Sequence, residues 1–298
     1  MPKLEIHPFS DEFRAEAAAL LRARHERHRR AEPLLPAVED FAAQLPRGGD
    51  GAVATRGGAV VAYLVAEVDG ERAAAGLAGC AATEPEALRD VYAHLAVSWP
   101  ERHEVLVPAP DAELIDPWFR LAFGCQAMTA VRETAVEQVP EFGGTIREST
   151  PDDLPVLAGL ERMLWDLQAG APSFSGLDAG SVDFEADWES HWDEDCYPLH
   201  VVAELDGRVV GHLLLYDRPA GDLRVPERNV DIALAGTLDD ARGRGVGVAL
   251  TAHALTFAHE RGFRSITTDW RSVNLLSSRF WPRRGFRPTF LRLYRAVP

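Results

Sequence analysis

Three glycines in five residues, Gly243, Gly245 and Gly247, stand in the segment Ala241-Arg-Gly-Arg-Gly-Val-Gly-Val-Ala-Leu250. Residues of this type and spacing suit an anion. Glycine lets a bulky phosphate approach the main chain closely, and Arg242 and Arg244 add positive charge. Just beyond, Val246, Leu250, Ala254 and Phe257 recur at helical spacing. A helix starting there turns its unpaired N–H groups and positive dipole end back toward the loop. A glycine-rich turn that only packs a helix onto a sheet fits the same glycines. No Gly-Lys-Ser/Thr follows, which excludes a nucleotide P-loop. Asp269 lies at about the distance of the acidic residue of a dinucleotide fold. Too little chain follows it to complete a doubly wound sheet, so a Rossmann-type redox protein is a distant alternative.

The elements that must position this loop are legible on both sides of it. Upstream, Val230, Ile232 and Leu234 alternate with Asp231, Ala233, Ala235 and Thr237, the period of a strand. One face of that strand offers a carboxylate, then small residues, then the loop. The pattern further predicts a strand near 145–148, a helix over about 152–167, a hairpin at 200–217 and a strand near 229–238. A helix over 245–261 ends on Gly262. A strand at 264–269, a short helix at 274–281 and a strand at 288–295 complete the half. Mixed strands and helices around one sheet make an α/β, or α+β, mixed-sheet class.

The same pattern is written twice. Val53–Val65 lays on Val202–Leu214 without a gap, with Gly58 on Gly207, and Trp118, Arg120 and Phe123 fall on Trp281, Arg283 and Phe286. The openings Leu4-Glu-Ile-His and Thr145-Ile-Arg-Glu match as well. These agreements, in one order, predict tandem domains over 1–140 and 145–298, divided near Glu141-Phe-Gly-Gly144. The first copy has no glycine loop. After an expected strand at 73–82 it carries Thr83-Glu-Pro-Glu86, a capping-box start whose carboxylates repel an anion and whose proline lacks an amide. One anion site per chain is therefore expected.

Arg242-x-x-Gly245-x-Gly247 resembles the phosphate loop of the GNAT superfamily of acyl-CoA-dependent N-acyltransferases. The run from Asn274 through Phe280-Trp281 to Gly285-Phe286 is similar to that superfamily's second motif. The resemblance covers about residues 145–298. It implies two tandem GNAT-like domains, each a mostly antiparallel mixed sheet flanked by helices, the first degenerate. It also implies acetyl-CoA as the acyl donor, without a metal. The amides of Arg242, Gly243, Arg244, Gly245, Val246, Gly247 and Val248 would then hold the CoA pyrophosphate. Ala235, Thr237 and Leu238 would line the acetyl and pantetheine arm, and Asn274, Ser277 and Phe280 would complete the site. The implied reaction is transfer of acetyl to a primary amine of a small molecule or peptide, by direct attack in a ternary complex. A non-catalytic CoA-binding sensor or scaffold is the alternative.

An attacking amine must lose a proton. Asp231, at a position that holds a catalytic carboxylate in one branch of the superfamily, and Glu204 are the candidates, although Asp231 reads equally as a strand-end residue. His212 reads as a satisfied or exposed histidine. Where the superfamily usually has a tyrosine to protonate the CoA thiolate this chain has Trp281, whose indole does not titrate usefully. Water, Tyr216 or Tyr294 could supply the proton.

Charge bears on the partners. The 298 residues carry a formal net charge of −15, which disfavours nucleic acid and anionic membrane. Against that sign, residues 271–298 hold seven arginines and no acid, either a solvated basic face or a partner for phosphates. Between Asp178 and Asp195 lie eight acids and no Lys or Arg, with Phe184, Trp188 and Trp192. That is either an acidic surface helix with a buried Trp stripe or an electronegative, aromatic-lined mouth for a cationic amine. Three cysteines without paired spacing and no apolar leader or membrane-length run lead to an expected cytoplasmic location. A homodimer is left open.

Overall fold

The computed structural model describes residues 2–170, 180, 182–192, 195–219 and 221–297. The first half of the chain runs β1 (Leu4–Pro8), α1 (Arg14–Ala31), α2 (Phe41–Gln44), β2 (Asp50–Arg56), β3 (Ala59–Val68), β4 (Arg72–Ala75), β5 (Cys80–Ala82), α3 (Ala87–Leu95), β6 (Arg102–Pro108), α4 (Ala112–Arg120) and β7 (Gly124–Glu133). The second runs β8 (Thr145–Glu148), α5 (Leu154–Ala169), α6 (Phe184–His191), β9 (Leu199–Leu205), β10 (Arg208–Tyr216), β11 (Asn229–Thr237), α7 (Val246–Glu260), β12 (Ser265–Arg271), α8 (Leu275–Arg283) and β13 (Arg287–Ala296). They form two compact units, residues 1–129 with 288–298, and residues 130–287. The boundary read near 141–144 thus falls inside the second unit, and the last strand belongs to the first.

In the first unit β1, β2 and β3 are antiparallel neighbours, β4 runs parallel to β6, and β13 pairs antiparallel with β6 from Phe290↔Pro108 to Ala296↔Arg102. Leu88, Val91, Val105, Val107, Trp118 and Leu293 are among its buried core. The strand expected over 73–82 is broken. β4 ends at Ala75, and β5 resumes at Cys80 to pair with β3. Between them the Arg24 guanidinium, 1% exposed, donates to the carbonyls of Leu77 and Cys80. The capping box expected at 83–86 does not form. Glu86, the residue before α3, makes no side-chain cap; the Thr83 hydroxyl donates instead to Val61 O, and Glu86 pairs with Arg120 at 2.8 Å.

In the second unit β8, β9, β10 and β11 are antiparallel neighbours and β11 runs parallel to β12. The end of β7 lies on the far side of β12. Local detail repeats from unit to unit. Both hairpins turn on residues of positive φ, Gly57-Gly58 and Asp206-Gly207. Just after each turn the register slips, leaving Val61 and Val210 bulged. Each bulge carbonyl accepts the amide that follows the next strand, Thr83 N at 2.9 Å and Leu238 N at 2.8 Å. A bulge re-aims the strand it interrupts, and here it ties down the start of the connection to the helix. In the first unit the helix begins soon after, at Ala87. In the second, the glycine loop intervenes before Val246. Among the described residues no helix is long and apolar enough to cross a membrane.

Candidate active site

β11 is paired on both edges only at its start. Its parallel ladder with β12 runs from Asn229↔Ser265 to Ile232↔Thr268 and stops, although β11 continues to Thr237 and β12 to Arg271. On the other edge the register with β10 slips at Ala233, between Leu214↔Leu234 and Leu215↔Ile232. A slip of this kind bends the strand it interrupts, and residues 233–237 are more open than the buried Asn229–Ile232. Main-chain groups on that edge are left facing a cleft of about 430 Å³.

The glycine loop closes one end of this cleft. Gly243 and Gly245 have φ of +77° and +89°, left-handed values that strain any other residue. Gly245 is the N-cap of α7 and offers no side chain to its amides, so the first turn of the helix points uncapped N–H groups and its positive dipole end outward. A methyl on Gly247 would meet the Phe280 ring at 3.4 Å. The helix itself is held by Val246, Ala249, Leu250 and Ala254, all buried, and ends on Gly262, where Gly262 N reaches His259 O and Phe263 N reaches Ala258 O, both at 3.0 Å.

Most of the residues expected at the site line this one cleft: Ala235, Thr237, Arg242, Gly243, Gly245, Val246, Gly247, Val248, Asn274, Ser277 and Phe280. Leu238 and Arg244 do not. The Leu238 amide is spent on Val210, and Arg244 extends toward Asp206 at 4.0 Å. Arg242 is held by Asp239 at 2.6 Å. Asn274 caps α8 by accepting from Ser277 N at 3.1 Å. It does so without a negative charge, where Asp111 caps the equivalent α4. Trp281, 6% exposed, lines the cleft and packs edge-on against Phe280 and Phe286. Met163, Leu164 and Leu167 of α5 form the opposite wall. The sequence pattern placed them only within a helix over about 152–167.

The two candidate carboxylates lie elsewhere. Asp231, 6% exposed, accepts from Arg218 Nη2 and from Thr267 Oγ1, both at 2.7 Å. Glu204 accepts from Arg147 Nε at 2.8 Å. Of the candidate proton donors, Tyr216 pairs in register with Asp231, and Tyr294 sits opposite Glu104 in the other unit.

A second cleft of about 540 Å³ lies on the α5–α6 side of the same sheet, lined by Glu148, Glu161, Asp187, Trp188, Trp192 and His200 among others. Of the acidic segment read from the sequence, Asp178, Asp193 and Glu194 lie outside the described residues. Trp188 is buried and Trp192 half-buried. Burial, and then the nearby Asp187, raise the Glu161 carboxyl above its ordinary range. His212 is not exposed. It is 2% accessible, lines the first cleft, and has no hydrogen-bond partner on Nδ1 among the described residues. Burial pushes it down to about 3 and its neighbour His200 to about 4. The signal for His212 lay in the alternation that pairs it with Gly236, a residue too small to cover it.

Residues 162–286 match the family described as Acetyltransferase (GNAT) family. Among curated proteins, none matches the sequence. A solved GCN5-related N-acetyltransferase from Sphaerobacter thermophilus superposes with a TM-score of 0.58 at 15% identity, over 98% of this chain and 95% of its own. The glucosamine N-acetyltransferase region of a fungal multi-domain GH3 beta-N-acetylglucosaminidase gives 0.57 at 16% identity, over 99% of this chain and 38% of that one. At these identities the likeness is one of fold, and chemistry must be argued from the site. The family match is confined to residues 162–286, and the sheet and the uncapped glycine helix agree with the fold of these GCN5-related N-acetyltransferases.

Proposed function

We propose that the second unit is an N-acetyltransferase that takes acetyl-CoA as donor and a primary amine, on a small molecule or peptide, as acceptor. The observation that carries this reading is the uncapped start of α7, with Gly243 and Gly245 in left-handed conformation, opening on the half of β11 that the β12 ladder does not reach. The amides of residues 243–248 suit a pyrophosphate. The edge around Ala235 and Thr237 can hold an extended pantetheine arm through the main chain, and an amide aimed at the acetyl carbonyl stabilises the oxyanion. The amine attacks the thioester directly while both substrates are bound. Glu148, Glu161 and Asp187, beside Trp188 and Trp192, suit a cationic acceptor in the second cleft. Asp231 or Glu204 would act as base only by releasing its arginine. That engagement favours the second reading, a CoA-binding sensor without turnover.

Calorimetric titration of the full chain with acetyl-CoA tests the first part. One site per chain is expected, weakened on the order of a hundredfold, about 3 kcal/mol, in a Gly245→Glu variant with an unchanged circular dichroism spectrum. Unchanged affinity in that variant refutes the assignment. CoA thiol release across a panel of amines separates an enzyme from a sensor.

A further inference from the structure

β10 carries its one histidine opposite a glycine. His212 pairs in register with Gly236, and a methyl built on Gly236 would lie 3.5 Å from both Cδ2 and Nε2 of the imidazole. The bare glycine therefore leaves Nε2 at the β11 edge where the first cleft begins, and both residues line that cleft. On its other side the ring packs against His200 and Trp188, with centroids 5.7 Å and 6.0 Å away. Those two rings line the second cleft. His212 thus stands in the wall between the groove suited to the acyl donor and the pocket suited to the amine. Its Nδ1 is buried without a partner among the described residues, an arrangement that costs stability and that packing alone does not require. Meanwhile the Asp231 and Glu204 carboxylates hold arginines, and the residue in the position of the usual thiolate-protonating tyrosine is Trp281.

We propose that His212 is a catalytic residue that takes the proton of the attacking amine on Nε2 and returns it to the departing CoA sulfur. This rests on the acetyltransferase reading above. The bound ammonium first gives one proton to water, the neutral amine nitrogen then bonds to the thioester carbonyl carbon, and the carbonyl π pair moves to oxygen. The nitrogen now bears the positive charge, and its proton passes to Nε2. The oxygen pair then re-forms the carbonyl as the C–S bond breaks, the sulfur leaves as thiolate, and Nε2 gives it the proton. The products are an amide and the CoA thiol, with His212 neutral again. Burial keeps the resting imidazole neutral, and His200 beside it pushes in the same direction. The imidazolium exists only while the negative charge of the adduct or thiolate lies next to it. One residue so placed does the work of both a base and the absent tyrosine.

The test uses the full chain, with calorimetry for acetyl-CoA binding and thiol release for turnover. In His212→Gln, kcat is expected to fall on the order of a hundredfold or more, with acetyl-CoA affinity and acceptor KM within about twofold. In His212→Ala, added imidazoles are expected to restore turnover with a rate that depends on their basicity, which a merely structural cavity would not show. A kcat for His212→Gln within threefold of wild type overturns the proposal. Should both variants fail to fold, ¹⁵N-histidine spectra of the wild type decide. A bisubstrate adduct of CoA and amine must shift the His212 Nε2 signal, and an unmoved signal overturns the role. If the wild type binds acetyl-CoA but releases no thiol with any amine, the enzyme reading itself fails and this role falls with it.

Discussion

Arg147 divides its guanidinium between Asp153, at 2.8 Å to both carboxylate oxygens, and Glu204. Asp153 also accepts from Thr150 N and Oγ1, closing the capping box that starts α5. Arginine and cap together hold its carboxyl at about 2, below the ordinary 3.8. A depressed carboxylate contributes stability above its unfolded pKa and loses it as pH falls through the folded value. The wild type is therefore expected to lose ~2 kcal/mol between pH 4 and pH 2 from this group. Asp153→Asn should lower stability at neutral pH by a similar amount and flatten that part of the acid profile, as read by urea titration at stepped pH. An unchanged acid limb would show that the pair contributes nothing. At this scale the glycines were legible in sequence because a loop's chemistry is local. The arginines that hold Asp231 and Glu204 were not, since Arg218 and Arg147 reach their partners through the folding of separate strands. The burial of His212 was missed because alternation gives its face but not that α6 covers it.

The two copies share their closing helix down to its caps. Asp111 and Asn274 each accept from the third residue on. At the other ends, Phe123 N reaches Trp118 O at 3.1 Å and Phe286 N reaches Trp281 O at 3.2 Å. This geometry needs a left-handed residue just past the helix. Gly285 supplies it at φ +81°, but in the first copy Ala122 sits at φ +63°. An alanine held there costs ~1–2 kcal/mol, partly offset because glycine is more disordered when unfolded. Ala122→Gly is accordingly expected to stabilise the protein by ~0.5–1 kcal/mol, raising the denaturant midpoint. A lowered midpoint would contradict the cap assignment. The matching Trp and Phe positions made this element readable from the repeat. The break in the 73–82 strand was not readable, because the cause is Arg24, a residue of α1 far away in sequence. In the first unit a guanidinium thus occupies the point where β11 of the second unit merely bulges.

At the scale of the whole chain, sequence halves and compact units do not coincide. The helices, hairpins and strands of the second half fell close to where periodicity placed them, yet periodicity carries no information about which β-edge a closing strand will choose. β13 chooses β6. Residues just before 145 are also tied into the second unit: Arg132 donates to Arg284 O at 2.5 Å, Thr134 to Phe263 O at 2.6 Å, and Glu137 N to Thr256 Oγ1 at 2.9 Å. A fragment of residues 145–298 lacks those ties and leaves β13 with both edges unpaired, since β6 and β7 are its neighbours. It is expected to be aggregated or poorly structured by size-exclusion chromatography and circular dichroism. A soluble monomer with full acetyl-CoA affinity would refute this.

The pairing of β6 with β13 also sets a clock on biosynthesis. Residues 287–296 are made about 180 residues after 102–108, so at ordinary elongation rates β6 waits on the order of ten to forty seconds for its neighbour. Through that interval the nascent chain presents an open strand edge, a template for intermolecular pairing. The first unit cannot finish folding on the ribosome ahead of the second, as independent tandem domains do. It is completed only once β13 has been made, and a chain cut before that strand loses not its last element alone but the closure of its first unit.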